Sequence, residues 1–428
     1  MRKLSHLILL WLLLVITTGA DAQSWIEQLE ALPGVTAVEP LESDVFPEKG
    51  LVRLKQYINP KDTTVGSFTQ RVIVCHAGFD RPTVLVTEGY GAAYALRPRY
   101  TEELARLFQT NIIVVEHRYF LESTPAPLNW DYLTAENSAE DLHRVTQTFK
   151  ALYPNKWVST GVSKGGQTVM IYRSFFPEDV DFSVPYVAPL CRAVEDGRHE
   201  PFLASEVGRE EERDSLLAYQ KELLKRRATM VPLLEEYSQE KYSYRIPLDE
   251  VFDYCVLEYP FAFWQRGHDI HTLPPLDAED RLLFDHLMTI SSPDYFSIEQ
   301  SIAPFFVQAA RELGYYGYDI TPYEGLLEVT DTRGYLHRIM LPDSAGDIAW
   351  SPALYQRISS FLQDNDPKML FIYGEIDPWS APRVPDLEGK SNYHIFMQPR
   401  GSHAACINAM PEELKQQIME ILTAWFEE

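Results

Sequence analysis

An α/β fold with a mostly parallel sheet and a large helical insertion is predicted by three observations. Short apolar runs alternate with helical stretches from residue 70 to about residue 188. The alternation stops between residues 195 and 345, where the chain is charged, helical and poor in strand-like runs. It resumes at residue 369 and continues to the end. Strand alternating with helix at this spacing produces a parallel sheet with helices on both faces.

The N-terminus reads as a targeting segment. Met1-Arg2-Lys3 is a basic start, residues 7–16 are almost unbroken apolar, and Ala20-Asp21-Ala22 is a small-x-small cleavage signal. This predicts a leader over 1–22, removed near Ala22, and an exported protein, periplasmic or extracellular. The apolar run is shorter than the roughly 20 residues of a membrane span, and no later stretch replaces it.

Residues 70–76 and 83–87 read as strands, with Gly78-Phe79-Asp80-Arg81-Pro82 as the turn between them. A helix over 101–109 follows, with Leu104, Leu107 and Phe108 on one face and Thr101 as N-cap. Residues 111–116 (NIIVVE) form the continuous apolar run of a strand buried on both faces. Next come a helix over 137–152, a strand over 156–160, a helix over 164–176 and a strand over 183–188. Within the insertion the clearest helix is 210–227, whose charge suggests a solvated face. Strands over 369–373 and 393–397 and a helix over 411–426 close the chain. The expected organisation is therefore a leader (1–22), a first core segment (23–194), an inserted helical cap (195–345) and a second core segment (346–428). The insertion is expected to cover the sheet, because both its flanks rejoin one fold.

Hydrophobic residues make up 45% of the chain and charged residues 23%, an ordinary globular balance. A net charge of −24 repels phosphate backbones and speaks against nucleic acid as a partner. Cys75, Cys191, Cys255 and Cys406 allow three complete pairings, and sequence does not choose among them. Their spacing matches no metal site, and His268-Asp269-Ile270-His271 lacks a third ligand, so no metal or cofactor is expected. The oligomeric state is left open.

Gly161-Val162-Ser163-Lys164-Gly165 fits G-x-S-x-G between a predicted strand and a predicted helix. In that setting a sharp strand-to-helix turn lifts the serine Oγ clear of the sheet. Serine is a poor nucleophile without a base in reach. The partners should follow in the order acid, then histidine. Asp377 lies on the loop after the 369–373 strand, and His403 lies after the next strand and before the last helix. Glu375 is the rival acid; Asp377 is preferred because Pro378 fixes its loop and Glu375 is nearer the strand. These three residues, in this order and on these loops, predict an α/β-hydrolase core with Ser163 as nucleophile, His403 as base and Asp377 orienting it. The oxyanion hole would take the amide of Lys164 and a second donor from Gly89 or Tyr90, in the loop after the 83–87 strand. On residues alone the chain is a serine hydrolase: an esterase or other acyl hydrolase with this triad fits as well as a peptidase. An inactive hydrolase fold used for binding is a further alternative, against which the intact triad speaks.

Several motifs give the chain a family likeness. Glu116-His117-Arg118-Tyr119 with Ser123 and Pro125, Tyr132-Leu133-Thr134, the Ser163 turn and Asp377-Pro378-Trp379 resemble the prolyl-peptidase clan, which includes lysosomal prolyl carboxypeptidase and dipeptidyl peptidase II. Gln308-Ala309-Ala310-Arg311-Glu312 resembles the clan's Q-x-C-x-E segment, with Ala310 in place of cysteine. Lys164 stands where the lysosomal enzymes carry an aromatic residue. Within the clan the chain is most similar to the secreted bacterial prolyl tri- and tetrapeptidyl aminopeptidases of the PS-10 type. The resemblance implies cleavage of short peptides after proline, near the free N-terminus. It also implies substrate contacts from Gln308, Glu312 and Trp379, the last as a wall of the proline pocket.

Overall fold

The computed structural model describes residues 23–428; the expected leader lies outside the described residues. Nine strands form one sheet, in the order β1-β2-β3-β5-β4-β6-β7-β8-β9. They are β1 (Val35–Pro40), β2 (Glu48–Tyr57), β3 (Ser67–His76), β4 (Thr83–Thr87), β5 (Asn111–Val115), β6 (Trp157–Val162), β7 (Phe182–Tyr186), β8 (Met369–Gly374) and β9 (Tyr393–Gln398). From β5 through β9 all pairings are parallel; β1, β2 and β3 add on antiparallel. The seven expected strands are all present, and this is an α/β-hydrolase fold. The antiparallel ribbon of β1 and β2 is an addition.

The core explains why the central strands read as unbroken apolar runs. Every residue of β4, β5, β7 and β8 is buried. Successive side chains serve opposite faces. Val84, Val86, Ile112 and Val114 pack with Leu104, Ile418, Leu422 and Trp425. Leu85, Ile113 and Val115 pack the other way, with Leu142, Val145 and Phe149. The helices Glu103–Phe108 and Glu412–Glu427 thus cover one face, and Ala135–Lys150 the other.

Between β7 and β8 the chain has no named strand. Its main helices are Glu210–Lys225, Arg227–Ser238, Leu248–Arg266, Asp280–Ile290, Ala303–Gln308 and Ala353–Asp364. Glu210–Lys225 is amphipathic and not simply solvated: Leu216, Tyr219, Leu223 and Leu224 are buried, and so is Glu212. Among the described residues no helix is long and apolar enough to cross a membrane. Also among the described residues, no group of three or more His, Cys, Asp or Glu is placed to hold a metal ion. The four cysteines are unpaired, and Cys75, Cys191 and Cys255 are buried.

Candidate active site

β6 runs into the helix Lys164–Phe175 through a single residue, Ser163, at φ 59° and ψ −122°. A non-glycine residue rarely holds such a conformation, which costs of the order of 1–3 kcal/mol and persists only where the surroundings impose it. Here they do. A Cβ on Gly161 would come within 2.5 Å of the Gly165 backbone, and one on Gly165 within 2.9 Å of the Thr87 carbonyl. Only glycines let strand and helix approach this closely. The Ser163 N–H donates to the Tyr186 carbonyl of β7 at 2.9 Å, and its side chain caps nothing. Ser163 is half-buried and lines a cavity of about 220 Å³.

The other two predicted residues meet through the ends of β8 and β9. A Cβ on Gly374, at the end of β8, would lie 2.3 Å from the Ser402 carbonyl, and the Ile376 N–H donates to the Gly401 carbonyl at 2.9 Å. This closeness brings the two loops together. His403 Nδ1 lies 2.7 Å from Asp377 Oδ2. Asp377 is fully buried, and its Oδ1 accepts the Trp379 N–H at 3.2 Å. Glu375 faces away: it accepts the Arg400 N–H at 2.7 Å and stabilises the turn before the histidine. The His403 N–H donates to the carbonyl of Gln265, a residue that lines the Ser163 cavity. Among the described residues no hydrogen bond joins Ser163 Oγ to His403. Such contacts are often long without substrate and tighten on binding.

Lys164 has two features. Its amide is in the first turn of a helix, where N–H groups lack intrahelical partners. Its side chain is 3% exposed, and Nζ donates to the Gly89 carbonyl at 2.5 Å, beside the rings of Tyr90 and Phe120 at 5.5 Å each. Burial drives the ammonium down to about 7, opposed by the charges of Glu88 and Glu312. Gly89 sits on this residue so tightly that a Cβ would lie 2.6 Å from Lys164 Cβ. The loop carrying Gly89 and Tyr90 is held from behind by the EHRY segment. The Ala92 N–H donates to Glu116 Oε2 at 3.0 Å and the His117 N–H to the Tyr90 carbonyl at 3.1 Å. Glu116 is itself fixed by Arg71, and Arg118 by Asp141.

Trp379 lines the cavity with Ser163 and Tyr90. Its indole meets Phe261 edge-on at 5.4 Å, His199 at 5.3 Å and Tyr316 at 5.5 Å. Gln308 and Glu312, expected to touch substrate, are not among the cavity's lining residues. Gln308 is 1% exposed, and Glu312 Oε1 accepts the Ala135 N–H at 2.7 Å at the start of the Ala135–Lys150 helix. These placements make Gln308 part of the packing and Glu312 a helix-terminal acceptor. Sequence reasoning missed most of the far wall: Glu258, Gln265, Tyr295, Phe305, Tyr315 and Tyr316. One signal was there. Glu258 interrupts an otherwise apolar run, Val256-Leu257-Glu258-Tyr259-Pro260-Phe261, where a carboxyl is costly to bury.

Comparison with known proteins adds a family. Residues 22–426 match the family described as PS-10 peptidase S37. A prolyl tri/tetrapeptidyl aminopeptidase from Streptomyces mobaraensis is 28% identical over 382 residues, 86% of this chain and 78% of that protein. Among solved structures, a proline iminopeptidase from Mycobacterium smegmatis is 13% identical with a TM-score of 0.41, over 87% of this chain and 98% of its own. A proline iminopeptidase-related protein from Thermus thermophilus is 14% identical with a TM-score of 0.36, over 88% and 99%. Likenesses this remote do not bear on activity.

Proposed function

Since the chain belongs to the PS-10 peptidase S37 family, and so is a serine hydrolase acting on peptides, we propose that it is an exported enzyme that cleaves short peptides after proline near their free N-terminus. Ser163 is the nucleophile, His403 removes its proton and later returns it to the leaving amine, and buried Asp377 holds the imidazole in the working tautomer. The observation that carries this reading is a shared cavity: Ser163 on its strained turn and Trp379, two residues beyond Asp377, line one chamber. A proline ring is apolar, rigid and without a backbone N–H, so a flat indole face suits it. The name of the Streptomyces mobaraensis relative supports the same specificity.

The developing oxyanion is taken by the Lys164 amide and by an N–H of the Gly89–Tyr90 loop, whose two amides also approach the Glu88 carboxyl. In a trans peptide the N–H points opposite to the carbonyl. Fixing the Gly89 carbonyl on Lys164 Nζ therefore fixes the direction of the Tyr90 N–H as well.

The test uses purified mature protein and a panel of chromogenic tripeptides differing only in proline or alanine before the scissile bond. Ser163→Ala should lose about 10⁴-fold or more in kcat and all labelling by a fluorophosphonate. Trp379→Ala should cut kcat/KM on the proline peptide by roughly 10- to 200-fold and narrow the proline-to-alanine ratio. A wild-type enzyme indifferent to proline, or faster on simple esters, would overturn the specificity while leaving the triad standing.

A further inference from the structure

We infer that Glu258 is the receptor for the ammonium group at the peptide's free N-terminus. The inference rests on the peptidase reading of the Ser163 cavity and adds to it how the amino end is recognised.

Glu258 lies on the helix Leu248–Arg266, is 7% exposed and lines the same cavity as Ser163. Its two oxygens have different surroundings. Oε2 accepts the hydroxyls of Tyr316 at 2.9 Å and Tyr318 at 2.8 Å. Oε1 has no donor among the described residues, and it is not among the buried polar atoms sealed in protein. A carboxyl that lines the cavity with one oxygen open has that oxygen facing the chamber.

Glu258 takes part in no ion pair among the described residues, although the Arg266 charge acts on it from farther off and lowers its pKa. Arg266, the cation on the same helix that also lines the cavity, gives its Nη1 to the Ile290 carbonyl at 2.7 Å. Burial pushes the Glu258 carboxyl up to about 7, against the hydrogen bonds from Tyr318 and Tyr316. A buried carboxyl held this way, by two fixed hydroxyls and without an ion-pair partner, is a poor structural element. It is a good receptor for a ligand that brings the charge. Tyr295, Tyr315 and Tyr316 line the same chamber with aromatic surface. Exposed Asp294 adds negative charge to the cavity's lining. An ammonium brings a charge and three donors to Oε1, whereas an acylated amine brings no charge.

The experiment compares Ala-Ala-Pro-p-nitroanilide with its N-acetyl counterpart on wild type and Glu258→Gln. Wild type should favour the free amine by at least tenfold. Glu258→Gln should lose roughly 10- to 100-fold in kcat/KM on the free amine, chiefly through KM, the scale of a hydrogen bond to a charged group. The acetylated peptide should be barely affected, so the preference collapses. A folded Glu258→Gln enzyme that keeps the wild-type ratio overturns the assignment. So does a wild type that cuts both peptides equally, a result that needs no variant to fold. If wild type reacts with fluorophosphonate but cuts neither peptide, the peptidase reading itself has failed, and this assignment with it.

Discussion

Asp377 and Glu375 lie two residues apart on one loop, and their surroundings assign them different work. Asp377 is fully buried against His403, whereas Glu375 holds the Arg400 N–H. Asp377→Asn should therefore lower kcat by about 10⁴-fold through the wrong imidazole tautomer, and Glu375→Gln should have a mild effect; steady-state assays of both in parallel decide, and a reversed order would transfer the role of acid. Lys164 supports a second prediction. Its desolvated ammonium is costly, so Lys164→Met should leave the melting temperature unchanged or higher. The Gly89–Tyr90 peptide would lose its anchor, so kcat should fall with KM little changed. An unaltered kcat in the folded variant would remove the side chain from the site. Ser163, Asp377 and His403 could be proposed from the sequence because each follows a strand in a fixed order. The Lys164 side chain could not, because a contact with Gly89 across 75 residues leaves no local pattern. Gln308 and Glu312 show the opposite case: their motif is visible, but neither lines the cavity that holds Ser163.

Elements were legible where burial was uniform. β4, β5, β7 and β8 are buried throughout and mostly apolar, and were plain in the sequence. β1 and β2 were not. β2 buries Lys49 and Gln56, whose polar ends reach the Arg97 carbonyl and Gln70, so its period was broken by residues that look solvated. The Glu210–Lys225 helix was plain in the sequence, but its buried face was not, because Glu212 lies inside. Glu212 receives Arg400 Nη1 at 3.1 Å and Nη2 at 3.2 Å and so ties this helix to the turn before His403. Burial alone would raise this carboxyl, but hydrogen bonds from Arg400 and Arg209 hold it down at about 2, against an ordinary 4.5. The unfolded chain takes up this proton near 4.5 and the folded protein only near 2. The tie therefore stabilises above pH 4.5, and that contribution is lost as pH falls through the window to about 2. Thermal melts of wild type and Glu212→Gln should differ by a few degrees at pH 7 and converge toward pH 2. A gap that stays constant with pH would show that the carboxylate charge is not what matters.

At the scale of the whole molecule, the helices between β7 and β8 supply most of the chamber wall facing Ser163. Read as a cap over 195–345, they set what can enter a space of about 220 Å³. Peptides of a few residues should be turned over, and a folded protein with an internal proline should resist; release of fragments from such a protein would contradict a closed chamber. The sequence disclosed that an insertion exists, because the strand pattern stops and restarts. It did not disclose which residues face inward, because the Leu248–Arg266 helix is buried on nearly all sides and has no polar face to orient it. That same helix has a mechanical consequence. It bears Glu258 in mid-length and, two turns on, the Gln265 carbonyl that holds the His403 backbone. Pro260 lies between the two points, but the segment is helical throughout. A guest that displaces it by pressing on Glu258 would also move the His403 backbone, so occupancy of the far end of the chamber would be felt at the proposed proton acceptor without any signal passing through the sheet.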